Sequence, residues 1–181
     1  MSTHYFIAIK IPAHVASAIL EARAKTNLHE THKTLPVAED LHITLHYLGH
    51  MEQHVLDQMI QSLQAIDSVP FELCTKALAH FGSDSTPRVV YVALEESHSL
   101  SSLQRQVVQV VSDFQEVVHS KEFTAHITIA KKWASNAVLL TDEFSLATQA
   151  FHAESFTIYK INPNSTPRYE EVRSIPLRRV K

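Results

Sequence analysis

Short hydrophobic segments alternate along the chain with segments in which hydrophobic residues recur every three or four positions. The short segments predict strands, because side chains alternate across a sheet, and the periodic segments predict helices. The predicted strands are Tyr5–Lys10, Leu41–Leu48, Phe71–His80, Arg88–Leu94, Phe123–Ala130, Ser155–Ile161 and Arg168–Ile175. The predicted helices are Ala13–Thr26, Gln53–Ile66, a long helix that begins near Ser99, and a short helix over Thr141–Thr148 with Thr141 as its cap.

The connections between these segments indicate the fold class. Several strands are joined by short turns, which favours antiparallel pairing. Antiparallel sheets with helices on the outside predict an α+β protein. No Gly/Ser linker or low-complexity tract divides the 181 residues, so we expect one domain over residues 1–181.

Composition excludes several kinds of site. Two glycines, Gly49 and Gly82, are too few for a glycine-rich phosphate-binding loop. The single cysteine, Cys74, excludes an intrachain disulfide and a zinc ribbon, and we expect it to fill the core. The net charge is −3 with the 13 histidines neutral, which argues against binding to long stretches of duplex. No hydrophobic run approaches the ~20 residues of a membrane helix, and no signal peptide is visible, so we expect a cytoplasmic protein without membrane contact.

Two nearly identical segments, His42-Ile43-Thr44-Leu45 and His126-Ile127-Thr128-Ile129, each lie inside a predicted strand. Alternation places the histidine and threonine of each segment on one face and the aliphatic residues on the other. Two chance copies of this pattern have a probability on the order of one in ten thousand, before strand composition is allowed for. We therefore predict that the two segments together form one polar site.

The residue types of this site suit a particular chemistry. Two imidazoles that face one another can exchange protons with an attacking nucleophile and a leaving oxygen near neutral pH. Two hydroxyls can donate to the non-bridging oxygens of a phosphodiester, where charge is concentrated in the transition state. This chemistry needs no metal and no other cofactor. A metal site of His42, His46 and a third histidine is the alternative. His29 and His32 also have ligand-like spacing, but we expect them in a solvated loop.

On these motifs the chain resembles the 2H phosphoesterase superfamily, which is defined by two His-x-Thr-x motifs. Within it, the chain is most similar to the bacterial RNA 2′,3′-cyclic phosphodiesterases, also called 2′-5′ RNA ligase-like proteins. The matching segments are Tyr5–Ile19, Asp40–Gly49, Phe81 with Arg88–Val92, Phe123–Ala130, Pro167–Tyr169 and Ile175–Leu177. The resemblance implies a bilobal fold of two pseudo-symmetric lobes, each an antiparallel sheet with outer helices. It also implies that both motifs face a central cleft.

The resemblance also implies a role for each motif residue. His42 would donate a proton to the leaving ribose oxygen, and His126 would be the base that activates water. Thr44 and Thr128 would hold the phosphate oxygens. The family usually has arginine five residues after the second histidine, where this chain has Lys131. Lysine keeps the charge but lacks the bidentate geometry of arginine, so we expect Lys131 to bind phosphate in an altered way.

The sequence therefore predicts a metal-independent hydrolase that opens 2′,3′-cyclic phosphates at RNA 3′ ends and leaves a 2′-phosphomonoester. Two alternatives stay open: a phosphodiesterase for a small cyclic nucleotide or ADP-ribose derivative, and a nucleotide- or RNA-binding module without turnover. We expect a monomer without an obligate protein partner. The basic residues near the end of the chain are mixed with acidic ones and predict a solvated surface: Arg173, Arg178, Arg179 and Lys181.

Overall fold

The computed structural model describes residues 3–117 and 122–179, and this part of the chain holds nine strands, four α-helices and a 3₁₀ turn at Ala38–Asp40. The strands are β1 His4–Lys10, β2 His32–Thr34, β3 His42–His50, β4 Phe71–Gly82, β5 Pro87–Leu94, β6 His126–Trp133, β7 Ala150–Ala153, β8 Ser155–Ile161 and β9 Tyr169–Pro176. The helices are α1 Ala13–Arg23, α2 Leu28–Thr31, α3 Gln53–Leu63 and α4 His98–Ser112.

All strand pairs in this part of the chain are antiparallel, and the strands form one connected sheet in the order β7-β4-β5-β6-β3-β1-β8-β9. The short strand β2 pairs with β6 outside this path. The α+β class is therefore confirmed. The two sheets implied by the resemblance are joined at their edges, because β3 and β6 pair with each other. Within the described residues, this pairing has a single position, Ile43 opposite Ile127.

The main hydrophobic core lies behind this junction. Ile43 and Ile127 are fully buried there, which anchors the middle of each motif. Helix α4 buries Leu103 and Val107 in the same core, and its amino end is fixed by Ser97, whose hydroxyl accepts the N–H of Leu100 at 3.2 Å. The motif strands thus rest on packed aliphatic residues on one face, which leaves their other face for polar side chains.

The helix predicted over Thr141–Thr148 is wrong. This segment is irregular in the structure, and Thr141 caps no helix. The Asn27 side chain holds the preceding stretch instead: its amide donates to the carbonyl of Val138 at 2.8 Å, and its oxygen accepts the N–H of Leu140 at 2.7 Å. These bonds satisfy the backbone groups of Val138 and Leu140, which lie just before the predicted helix.

The solvated loop predicted around His29 and His32 is wrong, because His29 lies in helix α2 and His32 in strand β2. His32 begins β2 and is 5% exposed, and its Nε2–H donates to the Pro87 carbonyl at 2.9 Å. Burial lowers the pKa of His32. The edge of β6 offers backbone groups to this short strand, a long-range pairing that local polarity cannot reveal. His29 is exposed, as expected.

The remaining differences are small. Helix α1 ends at Arg23, earlier than the predicted Thr26, and the sequence pattern missed β7. Cys74 is only half-buried in β4. The basic residues Arg173, Arg178 and Arg179 are exposed, whereas Lys181 lies outside the described residues. None of the helices in the described part of the chain has the length and hydrophobicity that crossing a membrane requires.

Candidate active site

The junction between β3 and β6 brings the two motifs together. The strands meet at their amino ends and continue in opposite directions. In an antiparallel pair anchored at Ile43 and Ile127, His42 comes opposite Thr128, and Thr44 comes opposite His126. Directly opposite residues share a face of the sheet. The four polar motif residues therefore lie on one face, above the two buried isoleucines.

His42 is held by a backbone carbonyl and two aromatic rings. Its Nδ1–H donates to the Asp40 carbonyl at 2.7 Å, and because a carbonyl only accepts, Nδ1 carries the proton in the neutral ring. Its Nε2 lies 3.0 Å from the Thr44 hydroxyl. The ring centroids of Phe6 and Tyr169 lie 4.8 Å and 5.1 Å from that of the imidazole. This arrangement leaves Nε2 as the nitrogen available for proton transfer.

His126 is held in the same way. Its Nδ1–H donates to the Thr124 carbonyl at 2.7 Å, again two residues before the histidine. The rings of Phe81 and Tyr91 each lie 5.1 Å from the imidazole, centroid to centroid. Both motif histidines thus have the same tautomer, and in both the backbone bond leaves Nε2 unprotonated in the neutral ring. Neither the carbonyls nor the aromatic residues were predicted, since any residue supplies a carbonyl and the rings come from distant segments.

The electrostatic environment keeps His42 neutral near pH 7. Burial lowers the pKa of His42 to about 4. The hydrogen bond to the Asp40 carbonyl acts in the opposite direction and raises this pKa, but by less. The charges of Lys131 and His126 also lower this pKa, as expected for close neighbours. The free site therefore presents a neutral imidazole at His42.

A bulge in β6 brings Lys131 to the same face. Strict alternation from His126 and Thr128 would place residue 130 there, but Ile129 and Ala130 are both fully buried. The register between β5 and β6 shifts at this point, from Tyr91 opposite Thr128 to Val90 opposite Ala130. Lys131 is half-buried, and its Nζ donates to the Tyr169 hydroxyl at 3.4 Å. It lines the same cavity as His42 and Thr128.

Asp40 connects the first motif to the start of β9. Its side chain is buried, and its two oxygens accept the backbone N–H of Arg168 at 3.0 Å each. One of them also accepts the N–H of Tyr169 at 3.1 Å. Asp40 thereby positions His42 through its carbonyl and Tyr169 through its carboxylate. The sequence pattern missed this residue because its partners lie far away along the chain.

Three adjoining cavities open along the polar face. The middle cavity, of about 230 Å³, is lined by His42, Thr44, Thr128 and Lys131. A larger one of about 610 Å³ contains His126 and shares Thr44 and Tyr47 with the middle cavity. The smallest, of about 150 Å³, shares Lys131, Asp40 and Tyr169 with it. All five site residues predicted from the sequence thus line two neighbouring cavities.

Potential metal ligands are dispersed in this region. In residues 3–117 and 122–179, no group of three His, Cys, Asp or Glu side chains is arranged to hold a metal ion. His46 lines the larger cavity and His42 the middle one. The motifs bring two imidazoles, two hydroxyls and one ammonium to two adjoining cavities.

A fold of this kind, with paired His-x-Thr motifs at a sheet junction, matches a known family. The chain belongs to the 2′-5′ RNA ligase superfamily, whose family model matches residues 11–162. The resemblance inferred from the motifs is therefore confirmed.

Curated relatives support the same family. A Bacillus subtilis (strain 168) protein named RNA 2′,3′-cyclic phosphodiesterase is 29% identical over 172 residues, which cover 93% of each chain. A Geobacillus stearothermophilus protein of the same name is 28% identical over 180 residues. That match covers 97% of this chain but only 57% of the Geobacillus protein.

Solved structures share the fold. Escherichia coli LigT complexed with 3′-AMP has a TM-score of 0.81 at 19% identity, and the match covers 98% of this chain and 99% of LigT. The Thermus thermophilus protein TT0787 has a TM-score of 0.80 at 22% identity, with 98% of this chain and 100% of that chain covered.

Proposed function

We propose that the protein hydrolyses 2′,3′-cyclic phosphodiesters at RNA ends to 2′-phosphomonoesters, by general acid–base catalysis with two histidines and without a metal ion. The observation that carries the proposal is the matched setting of His42 and His126. Each donates Nδ1–H to a carbonyl two residues earlier and keeps Nε2 available for the reaction. The names of the relatives support the substrate class.

The proposed reaction is a single in-line displacement at phosphorus. His126 Nε2 takes a proton from water as the water oxygen attacks. The bond from phosphorus to the ribose O3′ breaks, and His42 Nε2–H gives its proton to that oxygen. The 2′ ester remains, so the product is a 2′-phosphomonoester. At the end of the step, His42 is neutral and His126 is protonated.

Charge stabilisation in this step falls to the other site residues. As water attacks, negative charge builds on the two non-bridging oxygens of the phosphate. The hydroxyls of Thr44 and Thr128 are the proposed donors to these oxygens. The ammonium of Lys131 supplies the positive charge, and its bond to Tyr169 fixes the end of its flexible side chain.

The proposed division of roles requires a change at His42 when substrate binds. An acid must be protonated, whereas His42 is neutral in the free site because burial lowers its pKa. A bound phosphate anion favours the imidazolium and so raises this pKa. The reverse division, with His42 as the base, is the second candidate, and the neutral free state is the observation that favours it.

The test of the proposed function is the product of a defined substrate. The protein is incubated, in EDTA, with an oligoribonucleotide that carries a 2′,3′-cyclic phosphate, and the product is identified by ³¹P NMR. We expect a 2′-phosphomonoester at a rate that EDTA does not alter. The doubly substituted protein, His42→Ala with His126→Ala, is the blank that excludes a contaminating nuclease.

Each other result contradicts a specific part of the proposal. A 3′-phosphomonoester would overturn the breaking of the P–O3′ bond. Activity that EDTA abolishes and zinc restores would make the histidines metal ligands. Tight binding of the RNA without turnover would identify a binding module. Turnover of a cyclic mononucleotide with none of the RNA would assign the site to small nucleotides.

A further inference from the structure

The smallest of the three cavities has a marked positive charge. Lys33, Lys131 and Arg168 line it, and Asp40 is its one acidic lining residue within the described part of the chain. The Asp40 carboxylate already accepts three backbone N–H bonds from Arg168 and Tyr169, so its charge is largely satisfied within the fold. The three cations stand out in a chain whose net charge is −3. This cavity therefore favours an anion.

The cavity that contains His126, at the other end of the polar face, has no such excess of positive charge among its described lining residues. The charged residues that line the His126 cavity are Arg88 and Glu122, one of each sign. The preference for an anion beyond the reacting phosphate thus lies on the His42 side of this face. Lys131 lines both the middle cavity and the smallest, cationic cavity. An anion in the cationic cavity would therefore lie next to the reacting phosphate in the middle cavity, and the Lys131 ammonium would contact both.

We infer that the cationic cavity binds the 5′-phosphate of the terminal nucleotide, which in RNA is the phosphate linking that nucleotide to the preceding one. This inference rests on the proposed function. In a nucleotide with a 2′,3′-cyclic phosphate, only a ribose separates the reacting phosphate from the 5′-phosphate. The two cavities are likewise direct neighbours, since they share Asp40, Lys131 and Tyr169. Arg168 and Lys33 supply the cations, and the hydroxyls of Thr34 and Thr166 supply further donors.

The inference also bears on the division of roles between the histidines. The leaving O3′ belongs to the same ribose as the 5′-phosphate. A 5′-phosphate on the His42 side therefore places this ribose, and with it the leaving oxygen, on the side of His42, where an acid is needed. It also adds negative charge beside His42, which favours the imidazolium.

The test compares two substrates that differ only in the 5′-phosphate. These are cytidine 2′,3′-cyclic phosphate with a free 5′-hydroxyl and the same compound with a 5′-phosphate. The measured quantity is the ratio of their kcat/KM values. In the unaltered protein we expect the 5′-phosphate to raise kcat/KM by about tenfold or more, as for a charge-assisted contact of ~1.4 kcal/mol. We expect the ratio to fall as salt rises, because salt screens charges.

Substitutions then assign the effect to this cavity. Arg168→Ala and Lys33→Ala should each lower the ratio about fivefold or more. A substitution that disturbs the whole site lowers kcat/KM for both substrates equally, so it does not change their ratio. The matched controls are Arg173→Ala and Lys25→Ala, which remove exposed cations of the same types that line none of the three cavities. They should leave the ratio as it is.

A ratio near one in the unaltered protein, or a ratio that neither Arg168→Ala nor Lys33→Ala changes, would overturn the inference. Failure of the proposed function gives a different result, namely no turnover of the cyclic-phosphate oligoribonucleotide or of either cytidine substrate. In that case calorimetry compares cytidine 2′-phosphate with cytidine 2′,5′-bisphosphate. Tighter binding of the bisphosphate that Arg168→Ala abolishes would still support the subsite, and equal binding would overturn it.

Discussion

At the scale of single residues, the site depends on which nitrogen of each histidine the backbone holds and which one remains for proton transfer. Both motif histidines donate Nδ1–H to the carbonyl of the residue two positions earlier, Asp40 or Thr124. Such a bond fixes ring orientation and tautomer together. The duplicated motif predicted the two imidazoles. It could not predict how they are held, because a backbone carbonyl leaves no trace in the amino-acid sequence.

Removing either motif imidazole should reduce turnover of the cyclic phosphate strongly. We expect His42→Ala and His126→Ala each to lower kcat by about 10²–10⁴, the usual contribution of a proton-transfer group. The double variant should lose far less than the product of the two, because the groups act in one step. Thr44→Ala and Thr128→Ala should cost ten- to a hundredfold, roughly, since water can replace a hydroxyl donor. His29→Ala, which removes an exposed histidine, is the control and should keep the kcat of the unaltered protein. If His42→Ala had the same kcat as this control, His42 would not be a proton-transfer group.

A substrate with a better leaving group should distinguish the acid from the base. A 4-nitrophenyl phosphodiester releases a stable phenolate, which needs little protonation. If His42 is the acid, His42→Ala should lose much less activity on this ester than on the cyclic phosphate, whereas His126→Ala should lose activity on both. The measurement is kcat/KM of each variant for each substrate. Recovery in His126→Ala instead would reverse the two roles.

At the scale of secondary-structure elements, irregular strands determine which residues reach the site. The bulge in β6 turns Lys131 to the polar face after two consecutive buried residues. In β3, Gly49 adopts a φ of 68° where the register with β1 shifts, so the strand continues to His50. The hydrophobic pattern predicted most strands, because each packs one face on the core. Bulges and the short strands β2 and β7 depend on distant partners and escape such a pattern.

The hydrogen bonds from the backbone of Arg168 and Tyr169 to the Asp40 carboxylate should contribute to both stability and catalysis. Asp40→Asn keeps the carbonyl that holds His42 but replaces one acceptor oxygen by a donor, which faces the N–H groups of Arg168 and Tyr169. We expect the free energy of unfolding to fall by about 1–3 kcal/mol. KM should rise, because Tyr169 supports Lys131. Urea unfolding and steady-state kinetics measure these effects.

The neighbouring exposed residue supplies the control for this prediction. Glu39→Gln removes a carboxylate one position away whose side chain is exposed. It should leave both the unfolding free energy and KM nearly unchanged. Equal effects of the two substitutions would show that Asp40 has no special role.

At the scale of the whole molecule, the candidate active site lies where two halves of the sheet meet. Outward from the junction, the strand orders are β3-β1-β8-β9 and β6-β5-β4-β7, and β2 pairs with β6 outside this order. The hydrophobic pattern predicted the α+β class, and the duplicated motif predicted one shared site. The single domain of two pseudo-symmetric lobes stays a prediction that this strand order supports. The joining of the sheets could not be predicted, because it rests on one residue pair.

Because burial lowers the pKa of His42, acid should destabilise the whole molecule. In the unfolded chain this imidazole takes up a proton below its ordinary value of 6.5, while in the folded protein it stays neutral down to about 4. Protons therefore bind the unfolded state preferentially between these values. The stability present above pH 6.5 is lost as pH falls toward 4. The contribution of His42 is on the order of 2–3 kcal/mol, and His32, whose pKa burial also lowers, acts in the same direction.

Urea unfolding followed by circular dichroism at pH 7.5, 5.5 and 4.5 measures this loss. In His42→Asn, the side-chain amide can still donate to the Asp40 carbonyl but does not titrate. Its unfolding free energy should therefore decline less toward pH 4.5 than that of the unaltered protein. His29→Asn removes an exposed histidine and should decline as the unaltered protein does. An equally steep decline in His42→Asn would mean that His42 takes up its proton in the folded state as readily as in the unfolded chain, and that burial does not keep this imidazole neutral below pH 6.5.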